Sequence, residues 1–238
     1  MQLNPHVSVD CVIFGFDEMN LKVLLIDRNL GLTSKEQKAP KSLKLPGSMV
    51  YDDEDVDTAA IRVLKDLTGL ENIYLQQYHV FGSPDRLKNK QDLKWLQSTT
   101  KMKINRVVTI AYYSLIKLHK SLPCEGKVIW NDVMSIPGLA FDHKEIIQKG
   151  LDVLRRELQN EPIAFELLPK KFTIRQLQTL YEIILGKYLD SRNFRKSINK
   201  WGYIIALNEK EKNVAHKPAQ YFKFDKRIYH LRQQEYLD

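Results

Sequence analysis

Apolar positions over the first half of the chain gather into short, β-branched runs separated by polar breaks. "HVSVDCVIFGF" and "LKVLLIDRN" are two such runs, parted by "DEMN", and together they predict a β-hairpin. The polar "NLGLTSKEQKAPKS" that follows reads as an exposed loop. "IYLQQYHVFGS" and "KINRVVTIAYYSLIKL" predict two further strands. The second is long and nearly all apolar around Tyr112 and Tyr113, as expected of a central strand. "VIWNDV" predicts a short strand. Two stretches follow helical spacing instead. "LPGSMVYDDEDVDTAAIRVLKDLTGL" (Leu45 to Leu70) reads as a loop, an acidic run and an amphipathic helix ended by Gly69. "FDHKEIIQKGLDVLRREL" places Ile146, Ile147, Leu151 and Leu154 on one stripe, with Asp142 as N-cap and Glu145 at N3. Strand-rich with two main helices, residues 1–160 predict an α/β or α+β layered domain.

Residues 161–238 follow a different pattern. In "TIRQLQTLYEIILG", Thr173 and Gln176 form a capping box, Ile174, Leu177, Tyr181, Ile184 and Leu185 form the apolar stripe, and Gly186 stops the helix. "DSRNFRKSINKW" starts at Asp190, with Leu189 and Phe194 as a hydrophobic staple and Phe194, Ile198 and Trp201 as its buried face. "YIIAL", the basic loop "NEKEKNVAHKP" and "AQYFKF" predict a second hairpin. Helix, short connection, polar-faced helix and hairpin is the order of a winged helix.

Charge sharpens this division. Of 37 Lys/Arg and 29 Asp/Glu, residues 169–238 hold 15 and 7, so the whole excess of +8 lies there and the preceding residues balance. That asymmetry predicts a neutral domain followed by one that meets a polyanion, double-stranded DNA being the expected partner. Candidate contacts on the second helix are Arg192, Asn193, Arg195, Lys196, Asn199 and Lys200, with Arg suited to guanine and Asn to adenine. Thr173, Arg175 and Gln176, at the start of the first helix, are candidates for phosphate, as are His216 and Lys217 in the wing around Lys212–Pro218. The bland alternative is a solvated cationic face. Palindromic operators and two-fold dimers usually go together, so a homodimer is expected. Cys11 and Cys124 have no metal-ligand spacing, no cofactor or metal is expected, and no leader or apolar run of membrane-spanning length is read. A cytoplasmic protein without membrane contact is the expectation.

The Leu45–Leu70 segment resembles the Nudix box: Gly, five residues, Glu, seven residues, then Arg-Glu-apolar-x-Glu-Glu-x-Gly-apolar. With Gly69-Leu70 as anchor, the first glycine position is Ser48, just after Gly47; Glu54 and Arg62 are retained, and the helix carboxylates fall on Val63, Asp66 and Leu67. Three glutamates at i, i+3 and i+4 share a helix face and gather divalent cations. One aspartate and two hydrocarbons do not, so hydrolysis is not expected. "DDED" reads more simply as a solvated acidic helix start. The box, "VSVDCVIFGF…LKVLLIDR", "LAFDHKEII" and "LLPKKFTIRQLQTLYEIILGKYLDSRNFRKSINKWG…AHKPAQYFKF" together resemble the Nudix-related transcriptional regulators over nearly the whole chain. Within them the chain looks most like the arabinose-responsive branch found in Bacteroidetes.

That resemblance implies an α+β fold: a Nudix-like α/β/α sandwich with a mixed sheet at 1–160, then a winged helix-turn-helix at 161–238. It also implies a non-enzymatic repressor of sugar-catabolism genes released by a small-molecule effector, L-arabinose. Glu54 and Arg62 would hold the loop to the helix. The effector pocket would lie beside the box helix, which makes Asp10, Lys44, Arg106 and Tyr112 candidates; Asp10 as a buried strand partner and Tyr112 as core are the plainer readings. Two rivals stay open: a regulator of the same build that senses ADP-ribose and controls NAD metabolism, and a Nudix hydrolase with an accessory nucleic-acid-binding domain.

Overall fold

The computed structural model describes residues 2–28, 43–118, 128–212, 214–215 and 217–235. Cys124, His216 and the polar loop read at 29–42 lie outside these. The first hairpin joins β1 (Leu3–Phe16) to β2 (Leu21–Asp27). Asp17 sets its turn by accepting from the backbone N–H of Met19 and Asn20 (3.1 and 2.7 Å). β3 (Leu43–Lys44) and β4 (Gly47–Tyr51) come next, then α1 (Val56–Thr68), β5 (Gln76–Phe81), α2 (Lys90–Thr100), β6 (Val108–Lys117), β7 (Val128–Asp132) and α3 (His143–Asn160). The strands form one mixed sheet in the order β3-β2-β1-β6-β5, with β4 on β1 and β7 on β2. β6 runs parallel to β1 from Val7↔Val108 to Phe16↔Lys117 and is interior, as its apolar run predicts.

Successive side chains of a strand face opposite ways, and β1 serves two cores. Val9, Cys11 and Ile13 pack with Ala59, Ala60, Val63 and Leu64 of α1. Val12, Phe14 and Phe16 pack on the other face with Ile146, Ile147, Leu151 and Leu154 of α3. The result is an α/β/α sandwich. The structure adds what the pattern missed. "LPGSMV" is largely strand rather than loop, and there is a third helix, α2, hidden because its sequence is polar apart from Leu93, Trp95 and Leu96. Asp142 begins α3 but makes no side-chain cap; its carboxylate is engaged by Arg86 instead.

The chain continues through the short α4 (Ala164–Leu167) to β8 (Phe172–Thr173), α5 (Ile174–Leu185), α6 (Ser191–Trp201), β9 (Ile204–Lys210), β10 (Gln220–Phe224) and α7 (Lys226–Glu235), the last unexpected. The capping box of Thr173 and Gln176 forms as read, Gly186 ends α5 at φ 65°, and Asp190 caps α6 by accepting from Asn193 N–H (2.9 Å). An antiparallel sheet, β8-β10-β9, completes a winged helix. α3 ends at Asn160, next to the expected division, yet the apolar core does not break there. Leu151, Leu154 and Leu158 of α3 belong to the same cluster as Phe165, Phe172, Leu177, Leu180 and Ile184.

Candidate ligand cavity and nucleic-acid interface

The box segment keeps its architecture. Glu54 accepts from Arg62 Nε (2.9 Å), from Arg62 NH2 and from the Tyr51 backbone N–H (2.8 Å), while Arg62 NH2 also donates to the Met49 carbonyl (3.3 Å). The guanidinium lies over the Tyr51 ring, 4.3 Å from its centroid. This pairing holds Glu54 below the usual carboxylate range and ties the loop to α1. Gly69 ends α1 in the left-handed region at φ 74°, its N–H on the Lys65 carbonyl (2.8 Å). Val63 is 1% exposed and lies in the α1 core; Asp66 and Leu67 instead border a cavity.

That cavity, about 460 Å³, lies between the C-terminal half of α1, the ends of β1 and β2, β3–β4, and α2. Its size is ordinary for a small-molecule site. Asp10 sits in its wall. Asp10 Oδ2 accepts from Thr109 Oγ1 (2.7 Å), which is 2.5 Å from Ser8 Oγ, and Oδ1 is 3.5 Å from His143 Nε2. His143 Nδ1 accepts from the Leu45 backbone N–H (2.9 Å), so the neutral ring carries its hydrogen on Nε2, facing Asp10. Burial pushes Asp10 up to about 6, opposed chiefly by Arg86, and drives His143 down to about 3. Gly47 is obligatory here: a Cβ on it would lie 1.9 Å from Asp10 Oδ1.

Among the described residues three cations line the cavity, and they differ in partnership. Arg86 forks onto Asp142 (2.6 and 2.9 Å), with NH2 3.8 Å from Asp10. Arg28 pairs with Asp92, which also accepts from the Phe141 backbone N–H (2.9 Å), and lies over the Trp95 ring at 4.7 Å. Lys44 donates to the Gly47 and Leu45 carbonyls (2.8 and 3.4 Å) but has no carboxylate within 4.0 Å among the described residues. Burial pushes it down to about 8.

Of the four residues expected around an effector, the cavity brings together Asp10 and Lys44. Arg106 and Tyr112 lie elsewhere. Arg106 is exposed and donates to the Gly82 carbonyl (3.2 Å) outside the lining. Tyr112 is buried in the α1 core with its hydroxyl on Asp57, because β6 turns that side chain to the opposite face. Arg28, Arg86, Trp95, Phe141 and His143 were not anticipated. Asn89 before the Leu93–Leu96 cluster, an N-cap signal, was the available clue to α2 and hence to Trp95.

On the C-terminal unit, α6 buries Phe194 and Ile198 and exposes Arg192, Asn193, Arg195, Lys196, Asn199 and Lys200. Arg175 and Lys217 are exposed as well. Thr173 corrects the expectation. It is 3% exposed, and its hydroxyl accepts from Gln176 N–H (3.2 Å) while Gln176 Oε1 accepts from Thr173 N–H (2.7 Å), so the capping box buries the Thr173 hydroxyl within its own helix start.

Comparison with known proteins agrees with this geometry. Residues 164–224 match the NrtR DNA-binding winged helix domain. The ADPR responsive transcriptional repressor NtrR of Acinetobacter baylyi is 28% identical over 229 residues, covering 93% of this chain and 82% of that protein. NrtR of Shewanella oneidensis, solved with a 27mer DNA, superposes with a TM-score of 0.63 at 23% identity, over 94% of this chain and 95% of that one. A MutT/nudix family protein from Enterococcus faecalis gives 0.61 at 23% identity, over 94% and 88%. By fold, this is a Nudix-like domain followed by an NrtR-type winged helix. The cavity belongs to the Nudix-like part.

Proposed function

We propose that this protein is a DNA-binding transcriptional repressor of the NrtR type whose hold on DNA is set by a small effector in the Nudix-like cavity. One observation carries the reading: an NrtR-type winged helix, with a cationic exposed face on α6, shares an apolar core with α3, the helix whose first residue lines the cavity. Residues 161–238 are then the DNA-binding unit and 1–160 the sensing unit, working in the cytoplasm as a homodimer on a two-fold operator. Arg192, Asn193, Arg195, Lys196 and Asn199 face the bases and flanking phosphates, with Arg175, Lys200 and Lys217 on the backbone.

α3 supplies the link. Its first residue, His143, lines the cavity. Eighteen residues at 1.5 Å rise carry it about 27 Å, and its far half packs on α5, where Arg155 Nε donates to the Ile184 carbonyl (2.8 Å). An effector that alters the seat of Asp142 and His143 tilts α3, and with it the winged helix. It shifts the equilibrium only as far as its affinities for the two arrangements differ.

The effector class that the relatives favour is ADP-ribose, because the Acinetobacter protein is ADPR responsive. The Lys44 ammonium, which has no carboxylate within 4.0 Å among the described residues, supports a ligand bearing strongly accepting oxygens. L-arabinose is kept as a second reading on a separate observation: Ser8 and Asp10, joined through the buried Thr109 hydroxyl, line the same cavity as the Trp95 ring, the pairing a sugar's hydroxyls and apolar face require. Hydrolysis is not part of the proposal, since Val63 is core and Leu67 is hydrocarbon where metal ligands would stand.

Binding of the protein to its own upstream DNA at fixed salt, with ADP-ribose or L-arabinose added, tests this. Specific binding weakened by one ligand supports the repressor and names the effector class. Absence of specific binding sinks the DNA reading. Magnesium-dependent release of AMP from ADP-ribose would restore the hydrolase.

A further inference from the structure

A second cavity, of about 530 Å³, lies towards the opposite end of α3 from His143. β5 pairs with β6 only as far as Gln76↔Tyr113, so among the described residues no strand covers residues 114–116 on the side away from β1. The cavity occupies that gap, bordered by Ile73 and Tyr74 before β5 and by Ile163 at the entry to the winged helix. Its polar groups are short of donors. Glu157, in the last turn of α3, accepts from the Tyr113 hydroxyl and, at 3.4 Å, from Gln76 Nε2. That hydroxyl, which burial and Glu157 push above its ordinary pKa, also lies 3.0 Å from Gln76 Oε1. One phenolic hydrogen thus meets two acceptors. Turning the Gln76 amide over only moves the surplus, setting its oxygen against Glu157.

Nothing in the wall supplies the missing positive charge. Among the described residues no lysine, arginine or histidine lines the cavity, and Glu157 has no cation within 4.0 Å. Glu166, the other carboxylate, is exposed and pairs with Lys226 (2.9 Å). Ser114 also lines the cavity and is only 5% exposed. Its hydroxyl has no hydrogen-bond partner among the described residues, yet it is not sealed from solvent. Buried polar groups ordinarily have partners, so this wall lacks one.

We propose that this cavity is a second ligand site, for an organic cation: a primary ammonium on a short apolar body, its N–H groups given to Glu157 and its body laid among Ile73, Leu115 and Ile163. The Ser114 hydroxyl completes the polar wall, and the exposed Tyr74 ring offers a face that attracts an ammonium. The site stands apart from the first cavity and is its electrostatic opposite, since three cations line that one and none lines this.

The probe is phenethylammonium, compared with its neutral and anionic relatives 2-phenylethanol and phenylacetate, each titrated into the full chain without DNA. Binding is followed by the labelled δ1-methyl signals of Ile73 and Ile163, assigned with Ile73→Val and Ile163→Val. The expected result is a saturable shift of both signals by phenethylammonium at millimolar concentration or below. The alcohol and the anion should bind at least about 10-fold more weakly, and Glu157→Gln, which keeps an acceptor for Tyr113 and removes the charge, should weaken the ammonium about 10- to 100-fold. Asp66→Asn, in the wall of the first cavity, should leave that affinity unchanged. An alcohol that binds the wild type as tightly as the ammonium overturns the proposal, whatever the folding of the variants. So does unchanged affinity in Glu157→Gln. Signals that ignore all three compounds overturn the site itself, and signals that move on dilution instead would put a second copy of the chain there.

Discussion

Asp10 and His143 face one another in the cavity wall, and burial pushes their titrations in opposite directions. Between its ordinary value near 4 and about 6, the native Asp10 holds a proton that the unfolded chain has released, so this group's contribution to stability falls as pH rises through that window. Native His143 refuses the proton that the unfolded chain takes up near 6.5, so its contribution falls as pH drops from there towards 3. The two slopes oppose between about 4 and 6. Asp10→Asn removes one, and since Asp10 is not what depresses His143, acid sensitivity should steepen by up to about 1.4 kcal/mol per pH unit in that window. Denaturant unfolding at pH 6.5, 5 and 4 measures this; parallel pH profiles for wild type and variant would contradict the pairing. Gly47 carries the neighbouring residue-scale prediction. Gly47→Ala drives a methyl into Asp10 Oδ1 and should cost about 1–3 kcal/mol and abolish the effector response while leaving DNA binding intact, read by thermal melting and DNA release.

At the scale of elements, α6 and α3 make separable claims. Arg195→Ala or Lys196→Ala should weaken operator binding by about 1–3 kcal/mol if the side chain reads a base, or more uniformly across sequences with a shallower salt dependence if it contacts phosphate. Unchanged affinity in both variants would take α6 out of the interface. Arg155 tests the α3 link. Its Nε bond to the Ile184 carbonyl holds the end of α5, so Arg155→Met should leave effector affinity unchanged while reducing the ligand's effect on DNA affinity. A full response in Arg155→Met would move the coupling to another contact. The elements also show what was legible. α5 and α6 were read to the residue, because Thr173, Gly186 and Asp190 are local signals that act on their own helix. α2 was missed because only three of its eleven residues, Leu93, Trp95 and Leu96, are apolar, so the stripe that marks an amphipathic helix is faint.

For the whole molecule, the continuous core is the consequential feature. Leu151, Leu154 and Leu158 pack with Leu177, Leu180 and Ile184, so the Nudix-like unit and the winged helix share buried surface across residue 160. They should unfold together, and a saturating effector should move the entire transition, by about 2.7 kcal/mol at 100 times its Kd. Calorimetry resolving two transitions, with only one shifted by ligand, would contradict this. Leu154→Ala should then lower the stability of both units by about 2–5 kcal/mol, with lost DNA affinity as the visible sign.

By itself, the sequence determined what depends on near neighbours and on composition. Alternation marked the strands, caps and glycines bounded α5, α6 and the box helix, and the excess of positive charge after residue 168 marked the polyanion-binding end. The loss of the box carboxylates was equally plain, since residues at i, i+3 and i+4 share a face whatever surrounds them. Only the tertiary structure decided the cavity. Asp10, Arg28, Lys44, Arg86, Trp95 and His143 come from six separate segments, and no local rule relates them. Tyr112 and Asp10 both sit on neighbouring interior strands, yet the pleat turns one into a core and the other into the cavity. A side chain's facing is local to its strand, but what it faces is settled by the packing of distant elements.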